Sequence, residues 1–329
     1  FIAQGVPYGA EGTWGEVGRV TMFFSFHNSK YQSKNMSVVN RNCIICDNDN
    51  YNDLFVFTKE YTNHFENNDL RQRELNDKYG PHVIAKCNIC NCKYVRNVVN
   101  GISQNSNETH DFESERSKKK IIKQNKDFFN KKIKDNSFEN QIYKLKLLVS
   151  LTNKNINELT ILDYGCGLGE YPKLSEILGF KKIVAFDPMY TDDHQKSYEQ
   201  SNFNNIKVIK NLNQLSINTK FDIIVCTAVI EHAISPKKMF SDLKKLSNVN
   251  TIILFSNPVM DIEKDVSNIE KLVALKSNEI KTNRYLHYHL GHINYMLGKQ
   301  VSHLVNDYGF KTLPIYPNNS KKSFKIKLK

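Results

Sequence analysis

The chain has 329 residues, 40% of them hydrophobic, and a formal charge of +12. That is enough for one large domain plus a small one around a packed core. The mean hydropathy is −0.51, no run approaches the roughly 20 apolar residues that cross a bilayer, and MFFSF at 22–26 is too short for a secretory leader, so the expectation is a soluble, cytoplasmic protein without membrane insertion.

Residues 1–35 differ from the rest. Five of the 14 glycines and the only Trp, Trp14, fall within the first 18 residues, while the remainder is rich in Asn, Lys and Ile. The expectation is a non-native addition or a flexible arm, with a domain opening at Met36. Residues 36–100 then carry two knuckles, Cys43-Ile-Ile-Cys46 and Cys87-Asn-Ile-Cys90, separated by a polar, Asn/Asp-rich stretch. Four thiolates in two two-residue spacings suit tetrahedral Zn(II), in a structural site with no open position. The alternatives are two disulfides, disfavoured in a reducing compartment, or four unrelated thiols. Cys92 could stand in for Cys90, but its place before KYV suits a buried strand residue.

Residues 101–155 read as a linker followed by two amphipathic helices. The first carries Ile121, Ile122, Phe128, Phe129 and Ile133; the second carries Phe138, Ile142, Leu145 and Val149. Residues 111–154 hold twelve Lys/Arg against six Asp/Glu, and 318–329 hold five lysines and no acid. The bland explanation is two solvated faces, and the sharper one a surface for nucleic acid or a phosphorylated small molecule.

From 156 to 329 strands alternate with helices. LTILDY, KKIVAFD (181–187), IKVI (206–209), FDIIVCT (221–227) and TIILFS (251–256) read as strands. Tyr171 to Leu178, PKKMFSDLKKL and Lys299 to Asp307 read as helices, and 260–290 as a polar helical insertion. FKTLPI and SFKIKL form a hairpin around YPNNSKK. This order predicts an α/β, Rossmann-like, doubly wound seven-stranded sheet with a closing β-hairpin, preceded by a small zinc-ribbon domain and linker helices.

The turn after the first of these strands is Asp163-Tyr-Gly165-Cys166-Gly167-Leu-Gly169. Such a turn lets backbone N–H groups and a helix N-terminus approach a ligand closely. An acid at the strand end is poor company for a pyrophosphate and suits a ligand carrying an ammonium and a sulfonium, which points to S-adenosylmethionine (SAM). Asp187, eighteen residues past Gly169, stands where a carboxylate can take the ribose hydroxyls.

The ordered set DYGCGLGE, AFDP and FDIIVCTAVIEHA, over 159–313, resembles the class I SAM-dependent methyltransferases. The resemblance implies that Asp163 and the Gly165–Gly169 turn hold the methionine part of SAM, that Asp187, followed by Pro188, holds the ribose, and that Thr227 and Ala228 line the cofactor floor. Asn211 or Leu212 stands where the family often has an adenine-side Asp. Cys166 and Cys226 read as small buried fillers. A zinc ribbon, linker helix and SAM domain in series resembles a bacterial group that methylates sugars, often nucleotide-linked, for polysaccharide or deoxysugar synthesis.

For the acceptor's proton the candidates are Glu231-His232, just after the fourth strand, and His292 in RYLHYHLGHINYM. That stretch resembles the sugar C-methyltransferase motif Y-H-E-H-L-S-Y, with His292 matching the His and Gly291 replacing the Glu. His232 is read equally as a structural hydrogen bonder at a strand-to-helix corner. His287 and His289 read rather as surface or loop-packing residues, and Tyr285, Tyr288 and Tyr295 either wall a sugar or base or, as is commoner for aromatics near a helix, belong to the core. The leading expectation is methyl transfer to a sugar-like small molecule. The alternatives are an RNA methyltransferase gripping phosphates with the ribbon and the basic segment, and a non-catalytic SAM-binding scaffold. O-, N- and C-methylation and the oligomeric state are left open by these residues.

Overall fold

The computed structural model describes residues 2–7, 37–57, 80–100, 136–188, 190, 192–200, 202–259, 292–317 and 324–326. From the amino end come β1 (Ile2–Pro7), β2 (Ser37–Asn40), β3 (Tyr51–Phe57), β4 (His82–Cys87), β5 (Lys93–Val95) and β6 (Asn97–Asn100). Then follow α1 (Asn136–Ser150), β7 (Thr160–Tyr164), α2 (Glu170–Leu178), β8 (Lys182–Phe186), α3 (Asp192–Gln200), β9 (Ile206–Ile209) and β10 (Phe221–Thr227). The chain continues through α4 (Pro236–Lys245), β11 (Ser247–Val259), β12 (Asn294–Tyr295), α5 (Gly298–Asp307), β13 (Leu313–Pro317) and β14 (Phe324–Ile326). Among the described residues, no helix is long and apolar enough to cross a membrane.

Five consecutive parallel strands make up one side of the main sheet, in the order β11-β10-β7-β8-β9, with β9 at the edge. Their apolar residues alternate between two faces, as the two-residue period of a strand requires. Ile161, Ile183 and Ile223 pack with Leu145 of α1, Leu174 of α2 and Tyr198 of α3. Leu162, Val184 and Ile224 pack with Phe240 of α4 and Leu304 of α5. The sheet is therefore wound on both faces, as expected. Burying one such aliphatic side chain contributes about 1.5–3 kcal/mol.

Counted over the described residues, the sheet has eight strands, not the expected seven, in the order β14-β13-β1-β11-β10-β7-β8-β9. The additional strand is β1, which pairs parallel with both β11 and β13. The terminal hairpin is present, with Ile315 opposite Ile326. Helix α3 (DDHQKSYEQ) has no apolar stripe to betray it; its described core contact is Tyr198. Helix α4 is signalled locally: Ser235 caps it by accepting from the Lys238 N–H at 3.2 Å, and Pro236 opens it. The first expected linker helix, most of the basic segment and the insertion at 260–290 lie outside the described residues.

The cysteine-bearing strands do not stand apart. Strands β3, β4 and β5 form an antiparallel sheet whose fourth member is β12, from beyond residue 290. Residues Cys43, Ile44, Ile45, Cys87 and Tyr94 share one apolar cluster with Phe240, Met296 and Val301 of the main domain. At the junction Arg41 is only 8% exposed. Its guanidinium donates to the carbonyls of Val95, Ile234 and Ile293 and to Asn294 Oδ1, and lies over the Tyr94 ring. Burial pulls its pKa down to about 10, so it remains charged at neutral pH.

Removing that side chain strands several buried acceptors, each costing roughly 1–3 kcal/mol. Arg41→Ala is expected to lower unfolding stability by at least about 3 kcal/mol in urea titration, and Arg41→Lys to recover only part, because an ammonium cannot serve the whole fork. An Arg41→Ala midpoint equal to wild type would show that the junction contributes no net stability.

Candidate functional site

Parallel pairing brings the carboxyl ends of β7, β8, β10 and β11 to one sheet edge: Asp163 lies beside Ala185 and Val225, and Thr227 beside Ser256. The turns that leave those ends supply the site, as is general for open α/β sheets. Gly165, Gly167 and Gly169 all adopt positive φ, at 77°, 50° and 75°. Space as well as conformation excludes side chains at two of them. A Cβ on Gly165 would lie 2.5 Å from Val229 Cγ2, and one on Gly169 would lie 1.5 Å from Tyr198 Oη. The Gly165 and Cys166 N–H groups donate to the Phe186 carbonyl, tying the turn to β8.

Asp163 is 4% exposed, and its carboxyl is pushed well up by burial and secondarily by the charges of Asp187 and Glu170. Asp187 follows β8, and its Oδ2 accepts the Gly167 N–H at 3.1 Å. Pro188 beside it is exposed. The structure thus brings Asp163, the glycine turn and Asp187 together. Cys166 and Cys226 are buried, as expected of fillers. Asn211 is committed locally: its side chain accepts the Asn213 N–H at 2.9 Å while its own N–H donates to Gln214 Oε1. Leu212 is half-buried against the main core. Thr227 is half-buried at the end of β10, and Ala228 is exposed with φ 55°.

Three residues that brace the glycine turn were missed by sequence reasoning. The Tyr190 hydroxyl donates to the Gly167 carbonyl and meets the Tyr198 hydroxyl at 3.2 Å. Buried Lys173 donates to the Leu168 carbonyl at 2.9 Å, with its ammonium over the Tyr198 ring, and desolvation lowers its pKa to about 8. The available signal was weak: a Tyr three residues past Asp187, and a lone Tyr in the polar run of α3.

The second half of the site is built on a short turn after β10. Val229 packs on Gly165, and Glu231-His232 follows. Asn294 donates to the Ile230 and Ala233 carbonyls, and the Ile293 N–H donates to the Glu231 carbonyl. Those bonds fix His292 beside the turn. The His232 and His292 rings meet edge to face at 4.7 Å between centroids, and His232 Nε2 lies 3.9 Å from Glu231 Oε1. Glu231 is 2% exposed, and burial pushes its carboxyl up to about 8. The three expected groups therefore meet. Tyr295 is core, packed with Phe55 and Phe57; Tyr285, His287, Tyr288 and His289 lie outside the described residues.

The four expected thiols converge as well. Cys43 and Cys90 Sγ are 3.4 Å apart, Cys46 and Cys87 3.5 Å, and Cys46 and Cys90 3.7 Å. Zn–S bonds of 2.3 Å imply tetrahedral edges of about 3.8 Å, so this donor set could hold such an ion with little movement. The knuckles repeat one geometry. Asp47 and Asn91, each four residues past the first cysteine, adopt φ 58° and donate to the carbonyls of Cys43 and Cys87. Asp and Asn tolerate that left-handed conformation better than other side chains. Cys92 is buried immediately before β5 and is not among the four converging sulfurs.

A family model described as "Methyltransferase domain" matches residues 101–315. The ribosomal protein L11 methyltransferase of Fusobacterium nucleatum is 25% identical over 146 residues, covering 42% of this chain and 45% of that protein. The tRNA U34 carboxymethyltransferase of Campylobacter jejuni is 29% identical over 131 residues, covering 38% of this chain and 43% of that protein. The chain thus spans less than half the length of these curated relatives. Among solved structures, the ribosomal protein L11 methylase of Lactobacillus delbrueckii aligns at 21% identity over 40% of this chain and 67% of its own, with a TM-score of 0.27. With the model covering most of its length, the chain belongs to the methyltransferase domain family.

Proposed function

We propose that the protein is a SAM-dependent methyltransferase acting on a small, oxygen-bearing acceptor of the sugar or nucleotide-sugar kind. The observation that carries the cofactor reading is the pairing of a fully buried Asp163 carboxyl with a backbone-only cradle and Asp187 on one sheet edge. A buried carboxylate without a cation is costly, and an ammonium offsets that cost. In this reading Asp163 and the Gly165–Gly169 turn hold the amino-acid end. Asp187 releases the Gly167 N–H and takes the ribose hydroxyls. Thr227 and Ala228 form the floor, and Leu212 is the apolar neighbour on the adenine side.

Bound SAM supplies an electrophilic methyl on a sulfonium. The protein supplies position and a route for the acceptor's proton, and position is the larger contribution in such in-line displacements. Glu231, His232 and His292 are the acceptor-side group. They suit a small acceptor because Glu231 is buried and the side chain of His232 is only 19% exposed. The four thiolates of Cys43, Cys46, Cys87 and Cys90 hold a structural Zn(II), which keeps β12 and the segment carrying His292 in register with the ribbon.

Asp187→Ala is expected to weaken SAM binding about tenfold to a hundredfold, through loss of charge-assisted hydrogen bonds, as read by calorimetry. Gly169→Ala should also weaken it, because Tyr198 must be displaced. Unchanged affinity in both variants would refute the cofactor assignment. The acceptor class is tested with methyl-labelled SAM and an extract fractionated by size. Counts are expected in the small-molecule fraction, and counts in RNA or protein instead would overturn the sugar reading. Cys87→Ser is expected to lower the melting temperature and stop methyl transfer while leaving SAM affinity within a few-fold. A variant of unchanged activity and stability would remove the structural role of the thiolates.

A further inference from the structure

Three donor atoms of Glu231, His232 and His292 lie within 4.8 Å of one another beside the turn that packs on the glycine cradle. Both Glu231 oxygens are buried, in a residue 2% exposed, and have no hydrogen-bond partner among the described residues. An ionised carboxylate left that way costs several kcal/mol. It marks a place where the protein expects a cation or donor it does not itself provide. We propose that these three side chains hold a divalent transition-metal ion, separate from the thiolate centre, and that this ion binds the oxygens of the methyl acceptor.

The donor set argues for the class of ion. One carboxylate with two imidazoles favours zinc, manganese, iron or cobalt over calcium or magnesium, which take mostly oxygen ligands. Donors on neighbouring positions of a metal at about 2.1 Å lie roughly 3.0–3.4 Å apart. His232 Nε2 and Glu231 Oε1, now at 3.9 Å, need to close by less than about 1 Å. The two backbone strips that carry the ligands are already fixed against each other by Asn294 and by the Ile293–Glu231 bond. Three protein ligands leave one to three positions open for substrate.

The inference rests on the methyltransferase reading of this site and deepens it by naming the acceptor chemistry: a hydroxyl, or two adjacent oxygens that chelate. Coordination of an acceptor O–H to the ion makes it more acidic. The O–H bond breaks heterolytically, its proton passes to water, and the pair stays on the oxygen that is to be methylated. His292 then acts through the ion and does not itself take the proton.

The test uses the full chain with its thiolate centre filled by zinc and loosely held ions removed by a mild chelator. It is titrated with Co(II) alone, with SAM affinity measured on the same samples. One further Co(II) per chain is expected, with d–d absorption and no sulfur-to-metal charge-transfer band. His292→Ala and Glu231→Gln should each weaken that binding by tenfold or more without changing zinc content. Because Glu231 is buried, Glu231→Gln tests folding as well as binding, so half-buried His292→Ala is the deciding variant, with its SAM affinity as the check on folding. Wild type that binds SAM and takes no second ion would overturn the proposal, as would His292→Ala that takes it equally well. Wild type that takes the second ion but binds no SAM would instead refute the cofactor reading and leave the metal site standing.

Discussion

The junction turns on one buried guanidinium. Arg41 directly follows β2, ahead of the cysteine-bearing sheet, yet its acceptors come from that sheet (Val95), from the turn after β10 (Ile234) and from β12 with its approach (Ile293, Asn294). A group that stays charged when buried must find its hydrogen-bond partners or lose several kcal/mol. All three segments must therefore be in place together. Asn294 extends the same network by turning its amide N–H groups onto Ile230 and Ala233 while its oxygen faces Arg41. Glu231, His232 and His292 sit on backbone held by this network, so the position of Glu231 depends on the folding of a small sheet whose β3, β4 and β5 lie far earlier in the chain.

The two halves of the site are made by different means. The half proposed to hold the cofactor is mostly backbone: three left-handed glycines, with Tyr190, Tyr198 and Lys173 holding the loop from behind. The half proposed to meet the acceptor is mostly side chain: a carboxyl and two imidazoles presented by short backbone strips. Val229 joins them, since it fills the space that Gly165 leaves open. A change of volume at either residue moves both halves, because close-packed interiors transmit displacement and do not absorb it.

What could be read from the sequence was what is encoded locally. The five parallel strands are continuous apolar runs ending in turns, and each was placed to within a few residues, as were α2, α4 and α5. The cysteine knuckles and the glycine turn are likewise contained in a few consecutive residues. Helix α3 escaped because its described core contact is a single tyrosine. The β12 pairing and the Arg41 network escaped for a different reason. Most of their partners are backbone groups, which leave no residue-type signature, and those lie up to 252 positions away. His292 was found through a motif resemblance, but its meeting with Glu231 and His232 follows from β12 pairing with β5, which no local pattern announces.

Ala228 shows how this geometry is held. Its φ of 55° belongs to the left-handed region, which costs a residue with a Cβ roughly 1–2 kcal/mol. Such a conformation persists only where the surroundings over-determine it. Here the Ala228 N–H is bound to the Ser256 carbonyl, so the chain is still registered on β11 as it leaves β10. Five residues later the Ala233 carbonyl is bound by Asn294. Between these two fixed points the backbone must reverse within a single short turn. A residue with no Cβ at 228 would make that reversal easier, but it would also widen the conformations open to the unfolded and native chain. The alanine keeps the reversal narrow. Arg41 and Asn294 hold the far end of the turn through the Ile230, Ala233 and Ile234 carbonyls, and the Glu231 carboxyl lies buried beside two imidazoles.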